Sequence, residues 1–192
     1  GGSSNGIAAL RGIQALLGSP LDPEALAAIA ARLGSDCPLF LESGPVLMRG
    51  RGERVDVVSQ ALKKRLSGIR LLVFKPHFGV ETVWAYRALG RQADPFLPAE
   101  AAERLAGRWE AAQEDFKELV FNSLQTPIRK KFLALDTILD EIRTRFGLPA
   151  LLSGSGSSAF VITESRESFA ALKTYLRTVL GESSFIIETA MR

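Results

Sequence analysis

Apolar residues recur at helical spacing at two places near the start of the chain. The first pattern runs from Asn5 to Leu17 and predicts a helix, and the second predicts a helix from Ala25 to Leu33. Asp22 can cap the first turn of the second helix, Pro23 suits its first position, and Gly34 can end it. Two short apolar runs with a glycine turn between them, at 46–48 and 55–58, then predict strands.

The rest of the chain alternates between strand and helix patterns. A continuous apolar run from Ile69 to Phe74 predicts a buried strand. Further strands are predicted at 150–152, 159–163 and 184–188, and helices at 80–89, 99–107, 114–124, 128–146 and 167–180. This order predicts an α+β fold in which helices cover one sheet. A length of 192 residues allows two small domains, and we place their boundary between residues 67 and 68.

Composition narrows the class of protein without identifying it. Apolar residues make up 46% of the chain and charged residues 23%, as in ordinary globular proteins. Lys and Arg exceed Asp and Glu by 24 − 21 = 3, an excess that suits an anionic substrate but is too small to indicate a nucleic acid partner. The one tight basic cluster, Arg129-Lys130-Lys131, is interpreted as a solvated helix face rather than a phosphate clamp.

The chain has one cysteine, Cys37, and one histidine, His77. An internal disulfide, a thiolate cluster and a multi-histidine metal site are therefore excluded within this sequence. No apolar run reaches membrane-spanning length, and no signal-peptide pattern is visible. These features favour the cytoplasm, or an equivalent compartment such as the plastid or bacterial cytosol, with no membrane partner.

Two segments rich in glycine and serine indicate a phosphate site. Gly1-Gly2-Ser3-Ser4-Asn5 leads into the first predicted helix, and Ser153-Gly154-Ser155-Gly156-Ser157-Ser158 lies between two predicted strands. Glycines let the backbone approach an anion, and the first turn of a helix offers unpaired N–H groups. Two such segments on one small chain suggest a nucleotide site. Because the start of the chain cuts off the first segment, we expect this site to be incomplete.

Six motifs in one order resemble the GHMP kinase superfamily and, within it, the family of CDP-methylerythritol kinases. They are Gly1-Gly2-Ser3-Ser4-Asn5-Gly6, Leu33-Gly34-Ser35-Asp36-Cys37-Pro38-Leu39-Phe40, Gly50-Arg51-Gly52-Glu53, the segment from Pro76 to Tyr86, Asp115-Phe116 with Val120-Phe121, and Leu152 to Ser158. Glu81 stands where the family often has Ser. The resemblance covers nearly the whole chain but not the front of the family's ATP loop, nor the part that carries an active-site lysine.

The resemblance implies a fold and a domain arrangement. We expect a two-layer GHMP-kinase-like α+β fold whose C-terminal half is a ferredoxin-like α/β sandwich. Residues 1–67 would be the remainder of an incomplete N-terminal catalytic, ATP-binding domain, and residues 68–192 the C-terminal domain. We expect a monomer or weak homodimer.

The resemblance also implies an activity and a set of site residues. Asp36 would be catalytic, orienting or deprotonating the acceptor hydroxyl during phosphoryl transfer from ATP with Mg²⁺. The ATP-binding residues would be Gly1, Gly2, Ser3, Ser4, Asn5, Ser153, Gly154, Ser155, Gly156 and Ser157, with Ser3 or Ser4 near the metal. Substrate contacts, to a cytidine diphosphate-linked polyol, would come from His77, Gly79, Val80 and Thr82. We expect the first glycines, Asp36 and the late Gly-Ser loop to converge around a triphosphate.

Each of these residues also has a purely structural interpretation. Asp36 could be a turn residue, the first glycines a frayed end, and His77 a satisfied polar side chain. Tyr86 is predicted to pack in the core rather than to stack on a base, Trp84 and Trp109 to be packing residues, and Cys37 to be a small buried neighbour of Asp36. Two other functions also remain open, namely a GHMP kinase with a homoserine- or mevalonate-type acceptor and a non-catalytic remnant.

Overall fold

A computed structural model describes residues 2–50, 52, 54–113, 115–163 and 165–191. It divides into two compact units, Gly1–Lys64 and Arg65–Arg192. The described helices are α1 Gly2–Leu16, α2 Pro23–Leu33, α3 Gln60–Leu66, α4 Thr82–Leu89, α5 Ala99–Ala111, α6 Phe116–Leu119, α7 Gln125–Lys131, α8 Leu133–Phe146 and α9 Arg166–Leu180, with a 3-10 helix at Pro38–Leu41. The described strands are β1 Val46–Arg49, β2 Arg54–Val57, β3 Arg70–Lys75, β4 Ala150–Leu152, β5 Ala159–Ile162 and β6 Phe185–Ala190.

The first unit contains α1, α2, the 3-10 helix and an antiparallel hairpin of β1 and β2. The N-terminus of α2 is capped as predicted, because the carboxylate of Asp22 accepts a hydrogen bond from the Ala25 N–H at 2.7 Å and Pro23 is the first helical residue. A small apolar cluster holds these elements together, formed by buried Ile7, Ala30 and Cys37.

The second unit is built on a four-stranded antiparallel sheet. The strand order is β4-β5-β3-β6, and chain order gives strand, helices, two strands, helix and strand. This is the order and topology of a ferredoxin-like α/β sandwich, which confirms the predicted fold class. The core lies between the helices and one face of the sheet. Its fully buried residues include Leu72, Phe74, Leu135, Leu139, Ile142, Leu172 and Leu176.

The helix predicted over 128–146 is interrupted at Phe132, whose ψ of 72° separates α7 from α8. The aromatic ring of Phe132 stacks on Phe78 at 5.4 Å between centroids and meets the edge of Trp84 at 5.8 Å. Its backbone still donates to the Ile128 carbonyl and accepts from the Asp136 N–H. The bend therefore inserts an aromatic side chain into the core without leaving these backbone groups unpaired.

The predicted helix at 114–124 is wrong in extent, since among its described residues only Phe116–Leu119 is helical. Val120 is extended, with φ −79° and ψ 127°. Beyond it, the side chain of Asn122 donates to the Leu152 carbonyl in β4 and to the Gly154 carbonyl in the loop that follows. These tertiary hydrogen bonds hold the segment out of a helix, and local propensity does not determine its backbone.

The basic cluster at 129–131 is more engaged than a solvated face. Arg129 forms ion pairs with Asp136 and with Asp140, the latter at 2.6 Å. Burial by itself would lower the pKa of Arg129, but the hydrogen bonds and charges of these two carboxylates raise it. The Lys131 ammonium lies 3.9 Å from the centroid of the Trp84 ring, and Lys130 is exposed. The prediction of a solvated face therefore fits Lys130 but not Arg129.

Candidate functional site

The late Gly-Ser segment forms a tight loop between β4 and β5. The Ser153 N–H donates to the Ser158 carbonyl at 2.9 Å, and the Gly156 N–H donates to the Ser153 carbonyl at 3.0 Å. Gly154 and Gly156 have φ values of +57° and +71°, a region that favours glycine. No atom lies within 4 Å of where a Cβ on Gly154 would stand, so the backbone at this point is open to a ligand.

This loop packs against the segment predicted to contact substrate, 73 to 79 residues away in sequence. The hydroxyl of Ser157 donates to the Phe78 carbonyl at 2.5 Å, and the hydroxyls of Thr82 and Ser155 are 3.0 Å apart. Ser157 is only 1% exposed, and its side chain holds the loop in place. Ser155 is half-buried and Ser153 exposed. The structure thus joins two predicted site segments of the second unit.

The other predicted substrate contacts differ in accessibility. Gly79 and Thr82 are exposed, whereas Val80 is buried in the core, so the Val80 side chain faces the protein interior. His77 is exposed, and its Nε2 lies 3.3 Å from the hydroxyl of buried Ser184. The same Ser184 hydroxyl donates to the Leu180 carbonyl at 2.6 Å, which holds it in place beside His77.

Two aromatic predictions from the same region have opposite outcomes. Trp84 packs as expected, edge-on to Phe132 in the core. Tyr86 is 57% exposed, so the prediction that it packs in the core is wrong. It lies on α4 between buried Ala85 and exposed Arg87, on the solvent side of the helix. Trp109 is half-buried, in keeping with a packing role.

The segment predicted to begin as a phosphate loop is helical from Gly2 onward, and Gly1 lies outside the described residues. Ser3, Ser4 and Asn5 therefore belong to the first turn of α1, the end of a helix that suits an anion. Gly2 and Asn5 are exposed, and Ser3 and Ser4 are half-buried. Open space surrounds the position that a Cβ on Gly2 would take.

Asp36 lies in a turn between α2 and the 3-10 helix, and it is exposed. The next residue, Cys37, is buried as predicted, at 3% exposure. The Cys37 N–H donates to the Gly34 carbonyl at 3.0 Å, and its sulfur lies 4.0 Å from the Ser3 carbonyl oxygen. Within the first unit, the Asp36 turn thus lies against the start of α1. Convergence of these residues with the Gly-Ser loop of the second unit stays a prediction.

Among the described residues, no group of three or more His, Cys, Asp or Glu side chains could hold a metal ion. In the part of the chain that the structure describes, no helix is both long and apolar enough to cross a membrane.

Sequence reasoning missed Asn122 and Gln125. Asn122 Nδ2 donates to the Leu152 carbonyl at 3.0 Å and to the Gly154 carbonyl at 2.8 Å, and Gln125 Oε1 accepts from the Leu152 N–H at 3.1 Å. The matched Val120-Phe121 pair ends one residue before Asn122, and nothing in the amide residues themselves signals a contact 30 positions away.

Comparison with known proteins agrees with this geometry. Residues 99–181 match the model of the family described as GHMP kinases C terminal. Residues 99–181 therefore form a domain of the GHMP kinase C-terminal family. It is 33% identical over 162 residues to a 4-diphosphocytidyl-2-C-methyl-D-erythritol kinase of Rhizobium johnstonii, an alignment that covers 84% of this chain and 50% of the relative. The chain thus spans about half the length of the curated relatives it matches.

Solved structures of two small-molecule kinases share the fold. A crystal structure of 4-(cytidine 5'-diphospho)-2C-methyl-D-erythritol kinase matches 100% of this chain and 66% of its own chain, with a TM-score of 0.72 and 28% identity. Homoserine kinase from Cytophaga hutchinsonii matches 93% of this chain and 61% of its own, with a TM-score of 0.64. At 18% identity, the second likeness shows the fold alone.

Proposed function

We propose that the protein is an ATP-dependent kinase that phosphorylates the 2-hydroxyl of 4-diphosphocytidyl-2-C-methyl-D-erythritol, a step of isoprenoid precursor biosynthesis. One observation carries the proposal, namely that a sequence relative at 33% identity and a structural neighbour over the full chain have this same named activity. The acceptor would be a small molecule, a polyol linked to cytidine diphosphate, and the protein would act as a monomer or weak homodimer.

Asp36 would act on the acceptor hydroxyl. Phosphoryl transfer requires this hydroxyl to be aligned with the γ-phosphate, and a carboxylate can orient it and accept its proton. Asp36 is exposed, and it directly precedes the anchored residue Cys37. A carboxylate on a fixed turn is accessible to a ligand and keeps its position.

The residues present fit a nucleotide phosphate group. In the first unit, the first turn of α1 presents backbone N–H groups of the kind that bind phosphate oxygens. In the second unit, the Gly-Ser loop offers an open backbone at Gly154 with the Ser155 hydroxyl beside it. Bound ATP with Mg²⁺ would supply the transferred phosphoryl group and the cation that neutralises its charge. Ser3 or Ser4 would contribute a hydroxyl oxygen to that metal.

Substrate contacts would come from the end of β3 and the start of α4. Thr82 and Gly79 are exposed next to the Gly-Ser loop and can meet a ligand directly. Val80 would contribute only backbone groups, since its side chain is buried. His77 would stay a supporting residue, because Ser184 already holds its Nε2.

The test is ADP release measured with a panel of acceptors. The full-length protein, including any residues that precede or follow this sequence, is incubated with ATP and Mg²⁺ and with 4-diphosphocytidyl-2-C-methyl-D-erythritol, homoserine or mevalonate in parallel. We expect turnover with the cytidine substrate at least about 100-fold above either other acceptor, since a site with hydrogen bonds for a substrate strongly rejects ligands that cannot make them. Equal turnover with homoserine or mevalonate, or none with any acceptor, would refute the proposal.

A further inference from the structure

β4 lies at one edge of the sheet, and side chains occupy its free side. The backbone groups of Pro149 and Ser153 form hydrogen bonds toward β5. Because backbone groups alternate in direction along a strand, the N–H and C=O groups of Ala150 and Leu152 point away from β5, to the free side. Arg143 donates to the Ala150 carbonyl at 2.7 Å. As described above, Gln125 accepts from the Leu152 N–H and Asn122 donates to the Leu152 carbonyl. Three side chains thus take the place of a further strand.

Asn122 differs from the other two because it also reaches the Gly-Ser loop. Its Nδ2 carries two hydrogens, and both are used, one by Leu152 at the end of β4 and one by Gly154 inside the loop. Its Oδ1 accepts from the Leu124 N–H at 3.0 Å, which fixes the orientation of the side chain. One amide therefore joins the start of α7, the edge of the sheet and the loop.

We propose that Asn122 is a positioning residue that orders the Gly-Ser loop before a nucleotide binds. This inference rests on the proposed function, because it assigns the ordered loop to ATP. A loop with two glycines at positive φ has many conformations to lose when it binds a ligand. Anchors that fix the loop beforehand remove that entropic cost from the binding step. The Phe78 carbonyl and the Thr82 hydroxyl hold the loop from one segment, and Asn122 holds it from another.

The decisive variant is Asn122→Asp. A carboxylate of the same shape still accepts from the Leu124 N–H, but it cannot donate to the Leu152 and Gly154 carbonyls and it repels both. Gln125→Glu is the matched control. It adds the same charge to the same side of the protein, and its carboxylate still accepts from the Leu152 N–H. If Asn122→Asp does not fold, Asn122→Ser keeps an acceptor for Leu124 but is too short to hold both carbonyls.

Two measurements detect the effect of Asn122→Asp on the Gly-Ser loop. The first is amide hydrogen exchange of residues 153–158 followed by mass spectrometry, which requires no activity. We expect exchange about tenfold faster in Asn122→Asp than in the wild type, with Gln125→Glu unchanged. The second is steady-state kinetics, in which we expect Asn122→Asp to raise the KM for ATP about tenfold, with kcat changed by less than about threefold.

The possible outcomes are distinguishable. Unchanged exchange in the loop of Asn122→Asp would overturn the proposal, as would faster exchange throughout the second unit, which indicates general destabilisation. Faster exchange in the loop with an unchanged KM for ATP would also overturn it, because the loop would then not be ordered for the nucleotide. A wild-type protein without phosphoryl transfer, but with the expected exchange pattern, would refute the proposed function while the ordering of the loop by Asn122 stands.

Discussion

The hydroxyl oxygens of Thr82 and Ser155 lie 3.0 Å apart, although 73 positions separate the two residues in sequence. Thr82 is the first residue of α4, and Ser155 lies in the middle of the Gly-Ser loop. This hydrogen bond links the segment assigned to substrate with the loop assigned to ATP. The two assignments come from sequence motifs, whereas the contact between Thr82 and Ser155 is observed in the structure.

The hydrogen bond between Thr82 and Ser155 is testable by a double-mutant cycle. Thr82→Val keeps the shape of the side chain and removes its hydroxyl, and Ser155→Ala does the same in the loop. Because the pair is partly exposed, we expect a coupling free energy of about 0.5 kcal/mol in urea unfolding, at the low end for a hydrogen bond. Strictly additive effects of the two substitutions would show that the hydroxyls do not interact in solution.

In the proposed reaction, Asp36 orients the acceptor hydroxyl and accepts its proton. Asp36→Asn keeps the size of the side chain but removes the charge and the ability to accept a proton. We expect kcat to fall by at least about 100-fold, the usual range for loss of a general base. Since Asp36 is exposed in a turn, unfolding by urea should be unchanged within about 0.5 kcal/mol.

Asp94→Asn serves as the control for Asp36→Asn. Asp94 is exposed in the loop between α4 and α5, and its substitution makes the same change in charge. Turnover of this variant should equal that of the wild type. Full activity of Asp36→Asn would instead remove Asp36 from the mechanism and leave the fold assignment untouched.

The N-terminus of α2 offers a separate test of stability in the first unit. Asp22 accepts a hydrogen bond from the Ala25 N–H at 2.7 Å, so Asp22→Ala leaves that donor unpaired. We expect the free energy of unfolding to fall by about 1 kcal/mol in urea titrations. Asp22→Asn is the matched control, because Asn caps a helix about as well, and it should lie within a few tenths of a kcal/mol of the wild type. Equal losses in both variants would indicate that charge, not capping, is what matters at this position.

The sequence predicted those elements whose boundaries have local causes. Asp22 and Pro23 start α2 because a capping carboxylate and a proline act on their immediate neighbours. Short apolar runs predicted the strands β3 to β6, and apolar periodicity predicted the helix α9. Each predicted boundary lies within about two residues of the observed one.

What the sequence could not show depends on contacts distant along the chain. The break at Phe132 exists because its ring packs on Phe78 and Trp84, about 50 residues earlier. In the sequence, Asn122 looks like an ordinary polar surface residue. Only the fold shows that its amide donates a hydrogen bond to Gly154. Motif comparison located the Gly-Ser loop, but it could not show that Ser157 is buried and occupied in holding that loop.

Tyr175 on α9 gives the protein a predicted response to alkaline pH. Its phenol is buried at 8% exposure and donates a hydrogen bond to the carboxylate of Glu141 on α8. Burial, followed by the hydrogen bond and charge of Glu141, raises the pKa of Tyr175 well above its ordinary value, because each disfavours the phenolate. The folded protein therefore keeps this proton at a pH where the unfolded chain has lost it.

The sign of the effect on stability follows from this difference in proton binding. Above about pH 10, the ordinary tyrosine pKa, the unfolded state binds fewer protons than the folded state, so the contribution of Tyr175 to stability falls as the pH rises. We expect the stability difference between wild type and Tyr175→Phe to be constant below about pH 9 and to decline above pH 10, by at most about 1.4 kcal/mol per pH unit.

Absorbance of tyrosinate provides an independent measurement. The chain has two tyrosines, so in a Tyr86→Phe variant the absorbance change on titration reports Tyr175 alone. Tyr86 is exposed, and its substitution should leave the fold intact. We expect ionisation of Tyr175 to be delayed beyond pH 10 in the folded protein and to occur near pH 10 in denaturant. Ionisation near pH 10 in both states would mean that the Tyr175 phenol is solvated and does not hold its proton for Glu141.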